Sequence, residues 1–111
     1  MQNDRLSKLF EFLASDSNDP FVLYAIATEY NTINDTKNAF HYYLKLVEEH
    51  PDYVGTYYHL GKLYERENEK DKAIEVYQVG MLKAREKRDM HAFSELQGAY
   101  NNAAGLDYED D

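Results

Sequence analysis

The chain has 111 residues, no cysteine and a formal net charge of −9, from 12 basic and 21 acidic residues. This length suits one domain, the acidic charge argues against a nucleic-acid partner, and the lack of cysteine excludes disulfides and thiolate metal sites. The N-terminus does not resemble a signal peptide and no apolar run approaches the ~20 residues that span a bilayer, so we expect a cytoplasmic protein without a membrane partner.

Apolar residues recur at the i, i+3, i+4, i+7 spacing of a helix face, and no segment shows the alternation of a strand. The stripes are, in chain order, Leu6, Leu9, Phe10 and Leu13; Leu23, Ile26, Ala27 and Tyr30; Ala39, Phe40, Tyr43, Leu44 and Val47; Tyr57, Leu60, Gly61 and Tyr64; Ala73, Ile74, Tyr77, Met81 and Ala84; and Phe93, Leu96, Tyr100 and Ala103. The sequence therefore predicts an all-α protein of about six helices with short connections.

Start and stop signals separate these helices. The expected N-caps are Asn3 or Asp4, Asp19 before Pro20, Asp52, and Asp89, because their side chains can accept a hydrogen bond from the first helical turn. Asn34 can adopt the left-handed conformation that ends a helix. Pro51 ends the third helix, since the residue before a proline avoids helical geometry.

A period of 34 residues relates two segments, because residues 20–53 align with residues 54–87 without a gap. The identical pairs are Tyr24 with Tyr58, Tyr30 with Tyr64, Asn34 with Asn68, Ala39 with Ala73, and Tyr43 with Tyr77. These pairs fall on the helix stripes and on the turn. Such a period is typical of stacked helix–turn–helix repeats.

The second segment resembles a tetratricopeptide repeat, whose pattern is Trp-x2-Leu-Gly-x2-Tyr, then Ala, an aromatic residue and Pro. Tyr57 replaces the tryptophan, and the matching residues are Leu60, Gly61, Tyr64, Ala73 and Tyr77. The matching places in the first segment are held by Leu23, Ile26, Ala27, Tyr30, Ala39, Tyr43 and Pro51. The resemblance implies a short right-handed α-solenoid of antiparallel helix pairs.

The flanking helices complete this arrangement. Leu6, Leu9, Phe12 and Leu13 align one period before Phe40, Tyr43, Leu46 and Val47, and Phe93, Leu96 and Tyr100 copy Tyr57, Leu60 and Tyr64 with two residues added. We therefore expect one domain over 1–111. It consists of an N-terminal capping helix (3–15), repeat one (20–53), repeat two (54–87), a C-terminal capping helix (89–104) and an acidic tail (105–111).

Glycine in a helix interior costs about 1 kcal/mol relative to alanine, so Gly61 needs a compensating role. Two antiparallel helices approach most closely where their side chains are small. We expect Gly61, with Ala27, Ala39 and Ala73, to form these contact points. A plain helical bundle would use small residues in the same way, but it gives no reason for a gapless 34-residue register.

The sequence contains no recognisable catalytic, cofactor or metal motif. The four histidines are His41, His50, His59 and His91, and none has another histidine at i+3 or i+4, so we expect exposed helix residues. The basic run at Lys83–Arg88 lies at a predicted helix C-terminus, where cations offset the helix dipole. We predict no enzyme activity, cofactor or metal ion.

The resemblance implies a protein-interaction module, since in this family the first helix of each pair lines a concave groove that binds peptide or protein segments. The predicted groove residues are Tyr24, Thr28, Asn31, Tyr58, His59, Lys62, Glu65 and Ser94. The acidic charge favours a partner segment that carries Lys or Arg. The alternative is that Tyr24 and Tyr58 pack between neighbouring inner helices.

The best-known variant of the family grips a C-terminal carboxylate with Lys, Asn and Arg. Tyr24 and Thr28 stand at the first Lys and Asn places, His59 stands near the next Asn, and His91 and Glu95 replace the last Lys and Arg. The chain therefore does not resemble a co-chaperone for heat-shock chaperone tails.

Two other function classes stay open. One is a small regulatory subunit of an enzyme complex. The other is a self-assembling structural protein that forms homo-oligomers through its C-terminal helix, where Phe93, Leu96, Tyr100 and Leu106 would leave apolar surface.

Overall fold

The structure is a computed structural model that describes residues 3–106. Within that range the chain forms α1 (Asp4–Ser15), α2 (Pro20–Thr32), α3 (Thr36–Glu49), α4 (Gly55–Arg66), α5 (Lys70–Glu86) and α6 (Met90–Ala103), with no strand. The prediction of an all-α protein with six helices is confirmed. Most of the acidic tail, from residue 107 onward, lies outside the described residues.

Three predicted N-caps have the expected hydrogen bonds. The side chain of Asn3 accepts from the backbone N–H of Leu6 at 3.0 Å, that of Asp19 from Phe21 at 2.9 Å, and that of Asp89 from Ala92 at 3.0 Å. Each bond satisfies a backbone donor that has no partner inside its helix. The sequence signals therefore place the starts of α1, α2 and α6 correctly.

The prediction that Asp52 caps the fourth helix is wrong. The residue at the N-cap of α4 is Val54, and no side chain caps this helix. Asp52 lies too far before the first turn of α4. Its carbonyl oxygen accepts a hydrogen bond from Lys87 Nζ at 3.2 Å, and its carboxylate lies 4.0 Å from Lys83 Nζ.

The repeat period is visible in the backbone of the turns. Asn34 has a φ angle of 64° after α2, and Asn68, one period later, has 63° after α4. Asparagine tolerates this left-handed conformation better than most residues. The prediction for Asn34 is confirmed, and the same turn recurs in the second segment.

The chain divides into two compact units, unit one over Met1–His50 and unit two over Pro51–Asp111. The fully buried core of unit one consists of Leu23, Ile26, Ala27, Ala39, Tyr43 and Leu46 from α2 and α3. The core of unit two contains Tyr57, Leu60, Leu63, Ala73, Tyr77, Ala84 and Leu96 from α4, α5 and α6. The interpretation of residues 1–111 as a single domain stays a prediction.

α1 packs on the rest of unit one through Phe10, which belongs to its predicted apolar stripe, and not through Phe12, which the 34-residue alignment pairs with a core position. Phe12 aligns with the fully buried Leu46, yet it is 62% exposed. Phe10 instead makes edge contacts with Tyr30 and Tyr42, at ring-centroid distances of 6.4 and 6.1 Å. The Phe12 position would be buried only by a helix on the far side of α1, and no helix within residues 3–106 occupies that side.

Gly61 is buried where α4 and α5 approach most closely. A Cβ atom at Gly61 would lie 2.1 Å from Cε1 of Tyr77, and one at Gly80 would lie 2.5 Å from Cβ of Tyr57. Gly61 and Gly80 therefore each face a tyrosine of the other helix. The predicted role of Gly61 as a contact point is confirmed.

Candidate functional site

One side of α4 in unit two carries a group of half-buried and exposed side chains that we call the α4 surface: Tyr58, His59, Lys62 and Glu65. The ammonium group of Lys62 lies 5.5 Å from the centroid of the Tyr58 ring, within the range of a cation–π contact. The imidazole of His59 meets the same ring edge-on at a centroid distance of 5.5 Å. Tyr58 is half-buried, so its ring is held in place and keeps part of its surface open to solvent.

A buried tyrosine on α5 fixes the carboxylate at the other end of the α4 surface. The hydroxyl of Tyr77 donates to Glu65 Oε2 at 2.5 Å, and Lys62 Nζ lies 3.9 Å from the same oxygen atom. Burial and the bond to Glu65 raise the pKa of Tyr77, which keeps its hydroxyl protonated and donating. The carboxylate is therefore oriented before any partner arrives.

His59 is not the exposed histidine that the sequence predicted. It is half-buried, because α6 packs beside α4 within unit two. Burial lowers the pKa of His59 below its ordinary value of 6.5, while the charge of Glu95 on α6 acts in the opposite direction. His50 is also only partly exposed, and its ring nitrogen lies 3.1 Å from Oδ1 of Asn18.

This environment predicts a pH effect on the stability of the protein. Because the pKa of His59 is lower in the folded state, its contribution is present above pH 6.5 and is lost as the pH falls below that value. Replacing His59 with Gln should make the fall in melting temperature below pH 6.5 shallower than in the wild type. The matched control is His91→Gln, an exposed histidine in the same unit, which should keep the wild-type profile. Identical profiles for the two variants would contradict the burial of His59.

Unit one has a related arrangement on α2. The ring of Tyr24 meets the ring of the buried Tyr43 edge-on, with centroids 6.5 Å apart. The hydroxyl of Tyr43 lies 3.2 Å from Oγ1 of Thr28. Asn31, one turn further along α2, is half-buried. Tyr43 and Tyr77 are one period apart, so in both units a buried tyrosine of the second helix pairs with a polar residue of the first helix.

The predicted site residues fall into two groups, one in each unit. Tyr24, Thr28 and Asn31 lie together on α2 of unit one. Tyr58, His59, Lys62 and Glu65 lie together on α4 of unit two, while Ser94 is exposed on α6. Sequence analysis missed the two buried tyrosine hydroxyls, because the pattern identified Tyr43 and Tyr77 only as apolar stripe residues.

Among residues 3–106, no helix has the length and apolar character of a membrane span, and no three His, Asp or Glu side chains are grouped as metal ligands. The prediction that Leu96 contributes apolar surface at the C-terminal end is wrong. Leu96 is fully buried, with a side-chain atom 3.1 Å from the Cβ position of Gly80. Leu106 is exposed, as predicted.

Paired helices, a left-handed asparagine at the turn and a recurring buried tyrosine define a helical repeat protein. The family model for the tetratricopeptide repeat matches residues 42–75. The solution structure of a tetratricopeptide repeat domain protein from Salinibacter ruber is 46% identical, with a TM-score of 0.78, over 86% of this chain and 97% of that one. The chain belongs to the tetratricopeptide repeat family.

Two further structures share the fold. A crystal structure of a tetratricopeptide repeat domain protein from Salinibacter ruber is 48% identical, covers 80% of this chain and 99% of its own, and has a TM-score of 0.76. A protein from Bordetella parapertussis is 19% identical over 94% of this chain and 90% of its own, with a TM-score of 0.78, which shows the fold alone. The comparison with curated proteins gives no match. Proteins of this family generally mediate protein–protein interactions and are typically not catalytic.

Proposed function

We propose that this protein is a non-catalytic adaptor that binds an extended or helical segment of another protein on the α4 surface. The observation that supports the proposal best is the fixed geometry of this surface. Tyr77 orients Glu65, and both Lys62 and His59 contact the ring of Tyr58. A surface that is ordered before binding loses less conformational entropy when a partner docks.

The chemistry of the α4 surface indicates what kind of segment it binds. The half-buried ring of Tyr58 offers a rigid apolar contact that retains a polar hydroxyl group, a combination that favours recognition at low entropic cost. Glu65 suits a basic side chain of the partner, in line with the net charge of −9. Lys62, whose side chain is 46% exposed, suits one acidic or polar contact. We infer a mainly basic segment with an aromatic or aliphatic anchor.

The remaining predicted groove residues extend this proposal. Tyr24, Thr28 and Asn31 on α2 hold the positions one period before Tyr58, Lys62 and Glu65. Ser94 occupies the position on α6 that corresponds to Tyr58 after the two-residue shift. We propose that these residues make secondary contacts with the same partner, with Tyr58 as the main anchor.

Selection from a random peptide library tests this function. The wild-type protein is expected to enrich basic peptides with an apolar anchor, whose affinity is then measured by calorimetry. The double variant Tyr58→Ala with Lys62→Ala should bind the selected peptides about 30-fold more weakly, the loss of about 2 kcal/mol that removal of a central anchor causes. Because salt screens the attraction between exposed charges, over a length of about 10 Å at 0.1 M, association should also be faster at low salt.

The matched control is Glu75→Ala, which removes an exposed charge on α5 away from the α4 surface. This variant should bind with nearly wild-type affinity. If Glu75→Ala abolishes binding while the double variant retains it, the partner uses another face and the proposal is wrong. Circular dichroism of both variants shows whether a loss of affinity comes from a loss of structure.

A further inference from the structure

α1 corresponds in register to the second helix of a repeat, and no first helix packs against its outer side among residues 3–106. Leu9 and Phe12 lie two periods before Tyr77 and Gly80, the residues through which α5 packs on α4. On α1 the same two positions line an open groove of about 410 Å³ together with Asp4, Arg5 and Lys8. Phe12 is 62% exposed there, whereas Leu9 also packs against the cluster of Leu6, Val22 and Ile26. α1 therefore presents the contact residues of a second repeat helix without a first helix against them among residues 3–106.

The groove between α5 and α6 in unit two shows the converse feature, a first repeat helix that lacks its second helix. Phe93 and Gln97 on α6 correspond to Tyr57 and Gly61 on α4, the residues that α5 covers. They line an open groove of about 290 Å³ with Gln78, Met81, Leu82 and Arg85 of α5. Leu82 is 54% exposed. Here a first repeat helix presents its contact residues, and no helix within the described range occupies the place of the second.

We propose that the groove between α5 and α6 of one copy accepts α1 of a second copy, so that the copies join end to end. The repeat register identifies this occupant, because α1 carries the residues of a second helix and α6 those of a first helix. In the α4–α5 pair Gly61 of the first helix faces Tyr77 of the second, and Gly80 of the second faces Tyr57 of the first. Between two copies Gln97 would face Leu9, and Phe93 would face Phe12.

The charges that flank the two surfaces are complementary in this arrangement. Paired repeat helices are antiparallel, so the end of α1 would lie beside the start of α6 and the end of α5. Glu11 and Asp16 are exposed near the end of α1. Arg85, which lies 5.0 Å from the centroid of the Phe93 ring, and Arg88 are exposed at the other surface. Opposite charges at these places favour the second copy as the occupant.

The proposed contact is heterologous, because the α1 surface of one copy meets a different surface of the next copy. A joined pair therefore keeps one free α1 surface and one free α5–α6 groove. Unless the geometry closes a ring, such contacts generate open chains rather than a closed dimer. Assembly size is then expected to rise continuously with protein concentration.

Two variants that each block one surface test this proposal by sedimentation. Phe12→Lys places a charge on the α1 surface, and Leu82→Lys places one in the α5–α6 groove. Both wild-type residues are largely exposed, so we expect each variant to fold, which circular dichroism checks. The average mass of the wild type should rise above that of a dimer as concentration increases. Each variant alone should stay monomeric, and an equimolar mixture should form a heterodimer and nothing larger.

The control is Glu48→Lys, which places the same charge at an exposed position of α3 outside both grooves and should assemble like the wild type. A wild-type protein that stays monomeric at about millimolar concentration, where even a weak contact would be populated, overturns the proposal. Self-association of either blocked variant alone also overturns it, because the contact would then join two identical surfaces.

Discussion

Replacing Gly61 with leucine will lower the melting temperature of the protein, although leucine is the better helix former. The first side-chain atom at this position would lie 2.1 Å from the ring of Tyr77, which is fully buried and bonded to Glu65. Because the ring is fully buried in a close-packed core, it cannot move aside without displacing its neighbours, and α4 and α5 are pushed apart. Overpacking of this kind costs about 1–3 kcal/mol and occasionally more. Each kcal/mol lowers the melting temperature of a domain of this size by about 4 °C or more.

Gly98 supplies the matched control, because it lies inside α6 with no atom within 4 Å of its Cβ position. The same change, Gly98→Leu, should leave the melting temperature unchanged or raise it, since it gains up to about 1 kcal/mol of helix propensity. A second test combines Gly61→Leu with Tyr77→Leu, which removes the ring from the contact. The double variant should lose less stability than the sum of the two single variants. Equal melting temperatures for Gly61→Leu and the wild type would show that α4 and α5 do not meet at this residue.

Replacing Tyr43 with alanine should destabilise the protein by about 3–5 kcal/mol, as other buried aromatic residues do when truncated. Tyr43 has no exposed surface, lies edge-on to Tyr24 and pairs its hydroxyl with Thr28. Truncation leaves a cavity between α2 and α3 that neighbouring side chains fill only in part. Urea unfolding followed by circular dichroism measures the change.

The variant Tyr43→Phe distinguishes the contribution of the ring to stability from that of the hydroxyl group. It keeps the volume and removes only the oxygen atom, so its cost should be about 1 kcal/mol, the net value of a typical hydrogen bond. If Tyr43→Ala lowered the free energy of unfolding by less than about 1 kcal/mol, the effect would be that of a substitution at the surface and not in the core. That result would contradict the placement of Tyr43 in the core of unit one.

The helices could be predicted from the sequence because their signals are local. Apolar spacing, cap residues and the left-handed asparagine each depend on a few neighbouring residues. The role of Gly61 as a close contact point could also be predicted, since the 34-residue register placed it opposite a second helix. Asp52 was wrongly predicted as a cap, because the start of α4 was not known from the sequence. A capping residue must lie within reach of the first turn, and the sequence did not reveal that α4 begins at Gly55.

The candidate site was less predictable, because its geometry depends on contacts between helices. The bond from Tyr77 to Glu65 joins residues on α4 and α5, and a stripe pattern treats the tyrosine as apolar. The burial of His59 depends on α6, which follows α4 only after another helix. The exposure of Phe12 has a similar origin. The 34-residue alignment pairs it with the buried Leu46, but burial requires a partner helix that residues 3–106 do not supply.

The proposed function depends most directly on where a partner segment contacts the protein. Amide chemical shifts of the isotope-labelled protein, recorded while a selected basic peptide is added, give this location. We expect the largest shift changes at Tyr58, His59, Lys62 and Glu65, and smaller changes at Tyr24, Thr28, Asn31 and Ser94. Changes confined to α1, or to Leu82 and its neighbours in the α5–α6 groove, would contradict peptide binding on the α4 surface.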